Sequence, residues 1–283
     1  MLSNEYTCEF NMNSPYSLRH NAYESSYDYQ IIPRLPVIIK VDGRNFSRLT
    51  RRLDRPFCSK LINVFKNTLL QAIQQLDGAV FGFQYSDRFI FVLRNDRTFE
   101  EKPFCQNQIQ DINGLVSSII SVNFFKNLVL EDELNELDGD AIFKTKVFAL
   151  PSLNEVVNHL ILKQQLCYGD AIFRATQAEY IKIYGKVEAD RLLSGKKLDE
   201  KIDLLKSECD IDYEDYYPKA YRLGIGAYKV PKIIKTEDGE FQKNKWVIDS
   251  NLPSFLQDKS FLSNIIVSGH DIFRADRDLI IHD

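Results

Sequence analysis

Two aspartates in the first third of the chain follow apolar segments, and their positions suggest a site for divalent cations. The β-branched run at 35–41 leads directly into Asp42, and Asp87 lies in a two-residue turn between further apolar runs at 79–85 and 88–94. Hard cations such as Mg²⁺ prefer oxygen ligands, and one or two carboxylates plus substrate phosphates are enough to hold them. Two such ions can activate an attacking oxygen and stabilise a leaving pyrophosphate. The pair therefore indicates a metal-dependent nucleotidyltransferase, with Asp42 and Asp87 as its catalytic carboxylates.

The residues directly after Asp42 are suited to phosphate. Gly43 has no Cβ, so its carbonyl can approach an ion and nearby N–H groups can cradle a triphosphate. Arg44 would add charge-assisted hydrogen bonds to phosphate. Further arginines follow within the next eleven residues, namely Arg48, Arg51, Arg52 and Arg55. An arginine run alone is more often a solvated face, but beside a phosphate site it favours a patch for RNA or phosphate.

Composition limits the class of protein. The 283 residues are 44% hydrophobic and 27% charged, as in an ordinary soluble globular protein. The net charge of −4 argues against gripping a nucleic acid by bulk electrostatics, so such a partner needs a local basic patch. The five cysteines and four histidines are dispersed, which suggests neither disulfides nor zinc. Without a secretory signal or an apolar run of about 20 residues, we expect an intracellular, most simply cytoplasmic, protein with no membrane partner.

Hydrophobic periodicity predicts an α+β fold. The predicted strands are 35–41, 79–85, 88–94 and 143–151, and the predicted helices are 56–76 and about 105–126. Their order, β-α-β-β-α-β, is that of ferredoxin-like folds. In that topology the first strand neighbours the hairpin strands, so Asp42 and Asp87 should lie at one edge, as in the palm domains of polymerases and nucleotide cyclases.

The remaining segments complete the predicted organisation. Ser152 and Glu155 form a capping box that opens a helical stretch reaching about Tyr184, in which Gly169 marks a point where the helix could break. Additional C-terminal helices and a β-hairpin, formed by 220–230 and 245–249, follow. We predict four parts: an extended N-terminal arm (1–30), a palm-like catalytic core (31–151), a helical and hairpin part of the same domain (152–230) and a C-terminal extension (231–283).

Several blocks, in this order and spacing, resemble the tRNA(His) guanylyltransferase family. They are DGRNF (42–46), RPF (55–57), YSD (85–87), FKTKVFALPS (143–152), KQQLCYGDAI (163–172), SGKK (194–197) and EKIDLL (200–205). The resemblance covers about residues 35–230. It is closer to the family's branch of guanylyltransferase-like 3′–5′ polymerases, because an RPF segment follows DGRNF.

The resemblance implies an activity and a set of roles. Such enzymes add nucleotides, guanylate above all, to the 5′ end of tRNA after activating that end with a nucleoside triphosphate. It implies magnesium as the ion (two are expected), GTP and also ATP as substrates, and a dimer or tetramer. The implied metal ligands are Asp42, the Gly43 carbonyl and Asp87, and the implied nucleotide site adds Arg44, Asn45, Phe46, Ser47 and Ser86. Lysines in the weaker blocks, Lys163, Lys196 and Lys197, join the arginine run as candidates for RNA or phosphate contacts.

The chain also departs from the family pattern. Arg88 stands where the family has Glu, Lys144 where it has Asp, and Gly169 where it has Arg. The basic residues of the helix at 105–126 are missing, and so is the His-containing motif of the tRNA(His) enzymes, which counts against strict tRNA(His) specificity. Each lost charge-assisted contact to phosphate is worth about 1.5–3 kcal/mol.

Three functions therefore stay open at this level. The first is an active 3′–5′ nucleotidyltransferase acting on tRNA or a tRNA-like RNA. The second, motivated by Arg88 and the missing basic residues, is a catalytically weakened paralogue that binds tRNA or nucleotide as an interaction module. The third is a palm-type enzyme that makes a small nucleotide product without RNA.

Overall fold

An antiparallel sheet of seven strands, in the order β4-β1-β3-β2-β5-β6-β7, runs through the part of the chain that the structure describes. The structure is a computed structural model, and it describes residues 14–98, 100–131, 134, 137, 141–236, 239–268 and 280–281. The strands are β1 (Val37–Arg44), β2 (Ala79–Tyr85), β3 (Arg88–Leu93), β4 (Ile142–Ala149), β5 (Ile225–Thr236), β6 (Gly239–Asp249) and β7 (Ile280–Ile281).

Helices cover both faces of this sheet. They are α1 (Pro15–Ser25), α2 (Phe46–Leu49), α3 (Ser59–Ile73), α4 (Ile109–Val129), α5 (Leu153–Tyr184), α6 (Lys186–Leu193), α7 (Leu198–Cys209), α8 (Tyr213–Tyr216), α9 (Lys219–Leu223) and α10 (Lys259–Ser268). The predicted α+β class is confirmed, and the first four strands alternate with α3 and α4 in the predicted order.

The central strands are buried on both faces because a separate hydrophobic cluster lies on each. Ile39 and Val41 of β1 pack on one face with side chains of α3 and α4. Ile38 and Ile90 pack on the opposite face with side chains of α5 and α10. Such two-sided burial explains why the sequence of these strands reads as continuous apolar runs rather than as a strict alternation.

The two helices beside the predicted core strands begin later than predicted. The helix predicted from Pro56 starts at Ser59, because Phe57 stacks on Tyr221 with ring centroids 4.5 Å apart and keeps the preceding segment out of the helix. The helix predicted from about residue 105 starts at Ile109, because Cys105 has a left-handed backbone (φ 46°) that an α-helix cannot include.

Two predictions at other points of the chain are wrong. The N-terminal arm is helical rather than extended over α1, whose N-terminus is capped by the Ser14 hydroxyl accepting from the Ser17 N–H at 3.1 Å. The rest of the predicted arm, residues 1–13, lies outside the described residues. Residues 220–223, predicted as the start of a strand, lie in α9 instead, and Gly224 (φ 80°) turns the chain into β5.

α5 is a single helix of 32 residues, without the break that Gly169 could have caused. Its first turn has the predicted cap, in which the Ser152 hydroxyl accepts from the Glu155 N–H at 3.3 Å. In its middle the buried Gln164 amide donates to the Leu223 carbonyl at 3.2 Å and accepts from the Phe255 N–H at 2.6 Å. These bonds fix α5 against the segments that flank the β5–β6 hairpin.

α4 is the one described helix long and apolar enough to cross a membrane by length and composition, with a mean hydropathy of 1.2. Its side chains Ile112, Val116, Ile120 and Phe124 are, however, buried in the cluster that it forms with α3 and the sheet. These side chains form the face of α4 that packs against α3 and the sheet.

Candidate functional site

The two predicted carboxylates lie at the same end of adjacent strands. Asp42 pairs with Arg88 in the β1–β3 ladder, so the turn between β2 and β3 lies beside the end of β1. The Gly43 N–H donates to the carbonyl of Asp87 at 2.9 Å, which attaches the turn to the strand. The topological prediction that one sheet edge brings both aspartates together is thus confirmed, whereas their role as metal ligands stays a prediction.

Asp42 is engaged by two cations. Its carboxylate is 2.8 Å from the Lys40 ammonium, and its other oxygen is 3.4 Å from Nε of Arg88. Because the Asp42 side chain is 19% exposed, its interaction with these charges is only partly screened by water. Any divalent cation bound here would have to compete with Lys40 and Arg88 for the same oxygens.

Arg88, which stands where the resemblance leads one to expect an acid, joins β3 to α5. Its guanidinium reaches Asp170 of α5 at 3.2 Å and lies over the ring of Tyr85, 5.5 Å from the centroid. Partial burial lowers the pKa of Arg88, but Tyr85, Asp87 and Asp170 raise that pKa more. Arg88 is therefore a permanent positive charge beside both aspartates.

The turn itself carries a chain of hydrogen bonds from α5. Ser86 has a left-handed backbone (φ 53°), which the buried Gln84 supports by donating its amide to the Ser86 carbonyl at 2.7 Å. Arg174 donates to the Ser86 hydroxyl at 2.7 Å, and that hydroxyl donates to Asp87 at 3.2 Å. The position of Asp87 is thus linked to a cation of α5.

A cavity of about 720 Å³ opens beside this turn, within the size range of small-molecule sites. The predicted site residues on its wall are Gly43, Asn45, Phe46, Ser47, Arg55, Ser86 and Asp87. Those outside the wall are Asp42, Arg44, Arg48, Arg51, Arg52, Lys163, Lys196 and Lys197. The structure thus gathers Gly43, Asn45 and Phe46 of the DGRNF block and the turn around one space, but it leaves Asp42, Arg44 and most of the arginine run outside the wall.

The predicted basic site residues that do not line the cavity are exposed, except for one that is half-buried. Arg44 is exposed at the end of β1, Arg48 on α2, and Arg51 and Arg52 in the turn after α2. Of the arginine run only Arg55 reaches the cavity, donating to the Thr50 carbonyl at 3.4 Å. Lys196 and Lys197 are exposed in the turn between α6 and α7. Lys163 is half-buried on α5, and its pKa is lowered by burial and by the charges of Lys40 and Arg88. Lys163 thus lies among the charges around Asp42.

Phe46 is on the cavity wall, but its ring is mainly a core side chain. The ring lies 5.9 Å from that of Phe65, 5.4 Å from that of Phe124 and 5.1 Å from that of Phe143. A Cβ on Gly43 would lie 2.2 Å from this ring, so the glycine is required by packing as well as by any approach to phosphate. The nucleotide contact of Phe46 stays a prediction.

The sequence reading missed the contribution of α5 to the cavity. Asp170, Arg174 and Gln177 line it, together with Phe57 and Tyr221. Lys163, Cys167, Asp170 and Arg174 are spaced four, three and four residues apart, which places them on one helical face. This periodicity was available in the sequence, but nothing there said which face of α5 meets the turn.

The donor set suits a hard cation of the two-carboxylate type. Among the described residues no group of three or more His, Cys, Asp and Glu side chains could hold a metal ion. Asp42, Asp87 and the Gly43 carbonyl offer oxygen ligands only, which fits magnesium better than zinc, whose structural sites use Cys and His. Water and substrate phosphates would have to supply the other ligands.

Comparison with known proteins shows which family and which relatives this chain is similar to. Residues 18–151, just under half of the chain, match the family model described as tRNAHis guanylyltransferase. An uncharacterized protein of Acanthamoeba polyphaga mimivirus is 26% identical over 249 residues, which are 80% of each chain. The tRNA(His) guanylyltransferase 2 of Arabidopsis thaliana is 21% identical over 78% of this chain, but the match spans only 40% of that protein.

Solved structures show the same fold. A bacterial tRNA(His) guanylyltransferase-like protein in complex with ATP superposes with a TM-score of 0.75 at 24% identity, over 89% of this chain and 99% of that one. The tRNA(His) guanylyltransferase of Saccharomyces cerevisiae gives a TM-score of 0.62 at 17% identity, over 78% of this chain and 94% of that one.

Proposed function

We propose, on the premise that this chain is a diverged relative of the tRNA(His) guanylyltransferase family, that it is a metal-dependent nucleotidyltransferase adding nucleotides to an RNA 5′ end in the 3′–5′ direction. Members of that family are tRNA guanylyltransferases and hence nucleotidyltransferases. The observation that carries the proposal is the placement of Asp42 and Asp87 on adjacent strand ends beside a cavity of about 720 Å³. We interpret the unit β1-α3-β2-β3-α4-β4 as a ferredoxin-like palm, since its strand order is β4-β1-β3-β2.

Each side chain then has a definite task. Asp42, Asp87 and the Gly43 carbonyl would hold Mg²⁺, which supplies Lewis-acid stabilisation of the triphosphate and activates the attacking hydroxyl. Arg174 is held by Ser86 and lines the cavity, so it is in place to neutralise phosphate oxygens. Arg88 offers a second fixed cation at the cavity wall. These two arginines take over part of the positive charge that the helix at 105–126 and Gly169 no longer supply.

The substrates follow from the relatives. Bacterial guanylyltransferase-like proteins have been solved in complex with ATP and with GTP, and we assign both nucleotides to this cavity, with GTP as the donor of the added residue. The RNA is tRNA or a tRNA-like molecule, as the names of the curated relatives indicate. The chain spans 40% of the Arabidopsis relative and 64% of the mouse one, so their full activity is carried over only as a proposal. We also propose that the protein forms a homo-oligomer and is located in the cytoplasm.

A nucleotide-incorporation assay tests this function directly. With α-labelled GTP and a tRNA lacking its 5′ nucleotide, we expect label to enter the RNA. Chelation of Mg²⁺ should abolish the signal, because without the cation the two carboxylates repel the triphosphate. The control is the same tRNA with its 5′ end blocked. Labelled small products formed without RNA would instead favour the synthesis of a nucleotide signal and would contradict the proposal.

The contact between Arg88 and Asp42 favours a second candidate function. A cation already placed on a metal-binding carboxylate would weaken metal binding, and the chain would then bind tRNA or nucleotide with little turnover. The incorporation assay separates the two, because the binding module predicts RNA association without any labelled product.

Replacing Arg88 measures how strongly it competes with the metal. In Arg88→Ala we expect the Mg²⁺ concentration for half-maximal incorporation to fall about threefold to fivefold, since the ion pair with Asp42 is half-exposed and worth at most about 1 kcal/mol. Arg191→Ala, which removes an exposed arginine from α6, is the matched control. A higher Mg²⁺ requirement in Arg88→Ala would mean that Arg88 supports the metal site rather than opposing it.

A further inference from the structure

A cluster of positive charge lies on the sheet face that is turned toward α5, outside the cavity. In the β1–β4 ladder Lys40 pairs with Lys146 and Asp42 pairs with Lys144, so these four side chains lie on one face. Lys163 of α5 lies close enough to Lys40 and Asp42 for their charges to shift its pKa. We call Lys40, Lys144, Lys146 and Lys163 the cationic face.

The charges of the cationic face are not balanced within the described residues. Asp42 contacts Lys40, but no ion pair with a described carboxylate involves Lys144, Lys146 or Lys163. The pKa of Lys163 is lowered by burial and then by the positive charges of Lys40 and Arg88. Like charges held together in this way repel each other, and an anion that bound among them would relieve the repulsion.

The ring of His159 lies next to these lysines and packs edge-on against Phe148, with ring centroids 5.5 Å apart. Burial, Lys163 and Lys40 lower the pKa of His159 to about 4, so its ring is uncharged at neutral pH. Its Nε2 atom is buried and makes no hydrogen bond. The buried, uncharged ring therefore adds neither positive charge nor an accessible donor to the cationic face.

α5 connects the cationic face to the cavity. His159 and Lys163 are one turn apart, and Asp170 and Arg174 continue the same helical face onto the cavity wall. Lys163 and Arg174 are eleven residues apart, which corresponds to about 16 Å along the helix axis. Arg88 lies between the two regions, since it contacts Asp42 and also lines the cavity.

We infer that the cationic face binds the phosphodiester backbone of the RNA strand whose 5′ end enters the cavity. This inference rests on the proposed function, which places an RNA end there. None of the four lysines lines the cavity, so they are placed for phosphates beyond the reacting one rather than for the triphosphate of GTP. A chain with a net charge of −4 needs such a local patch to hold RNA at all.

Titration of RNA binding with salt tests the inference. Lys144 and Lys146 are exposed on the edge strand β4, so Lys144→Gln/Lys146→Gln is compatible with folding. For a 5′-phosphorylated RNA hairpin followed by fluorescence anisotropy, we expect Kd to rise about tenfold and the slope of log Kd against log salt to fall by about 1.5, as for two lost phosphate contacts. The matched control is Lys102→Gln/Lys126→Gln, two exposed lysines elsewhere with the same change of net charge.

GTP affinity, measured on the same variants, distinguishes whether the cationic face binds the phosphates of RNA or those of the nucleotide. We expect it to stay within twofold of that of the unmodified protein. A loss of GTP affinity with unchanged RNA binding would assign the cationic face to the nucleotide and overturn the inference, as would a double variant indistinguishable from its control. RNA binding is measured without turnover, so a protein without any incorporation activity could still show the expected loss of RNA affinity. Failure of the inference can therefore be distinguished from failure of the proposed function.

Discussion

Asp87→Asn is expected to lower nucleotide incorporation about a hundredfold to a thousandfold while leaving the fold intact. The substitution keeps the shape of the side chain but removes the negative charge that would hold a cation beside the triphosphate, and removing one group that stabilises a transition state already costs about 10²–10³. The Asp87 side chain lies on the cavity wall and accepts a hydrogen bond from Ser86 alone among the described contacts, so stability should barely change. The measurement is single-turnover incorporation of labelled GTP at saturating RNA.

The same experiment includes a control variant at an exposed aspartate and a variant of the second carboxylate. Asp203→Asn removes an exposed charge from α7, outside the cavity wall, and should keep full activity. Asp42→Asn should behave like Asp87→Asn, with the additional effect that Lys40 and Arg88 lose their shared partner. A well-folded Asp87→Asn protein with normal incorporation would rule out the metal assignment for this residue.

Phe46→Ala is expected to lower the free energy of unfolding by about 3–5 kcal/mol, the usual cost of truncating a buried phenylalanine. The ring is 6% exposed and packs among three other phenylalanine rings, with Gly43 against its edge. Denaturant unfolding followed by circular dichroism measures this loss. Such a change can leave a marginally stable domain unfolded, so Phe46→Leu, which keeps most of the packing, accompanies it.

GTP binding by Phe46→Leu separates packing from recognition. Because the ring is enclosed by Phe65, Phe124 and Phe143, we expect GTP affinity to stay within about threefold. A stably folded Phe46→Leu protein with at least tenfold weaker GTP binding would show that the ring contacts the nucleotide, as the resemblance to the guanylyltransferases implied.

The sequence was sufficient to predict those elements whose structure depends on neighbouring residues and on the hydrophobic period. The apolar runs around Asp42 and Asp87 were long enough to be identified as strands, and the order of elements then placed both aspartates at one edge, as observed. The cap at Ser152 was equally readable, because an N-cap requires only residues that are close in sequence. Helix starts were less readable: the stacking of Phe57 on Tyr221 that delays α3 joins residues far apart in the chain.

The side-chain contacts across the site could not be predicted from the sequence either, because they also join residues far apart in the chain. Arg88 was recognised as an unexpected base, but its contact with Asp170 depends on how α5 is rotated about its axis. Arg174 donates to Ser86 and lines the cavity, but its place there could not be assigned without knowing that rotation. Of the arginine run only Arg55 reaches the cavity wall, and the predicted contacts of the other arginines with RNA or phosphate stay predictions.

The unbroken course of α5 sets the spacing of everything that it presents to the sheet. One helix carries His159 and Lys163 beside β1 and β4, and Asp170 and Arg174 beside the β2–β3 turn. An α-helix advances 100° per residue, so inserting or deleting a single residue between Lys163 and Asp170 would rotate one group away from its partner whichever residue was used. The site should therefore tolerate changes of residue type along α5 more readily than any change in its length.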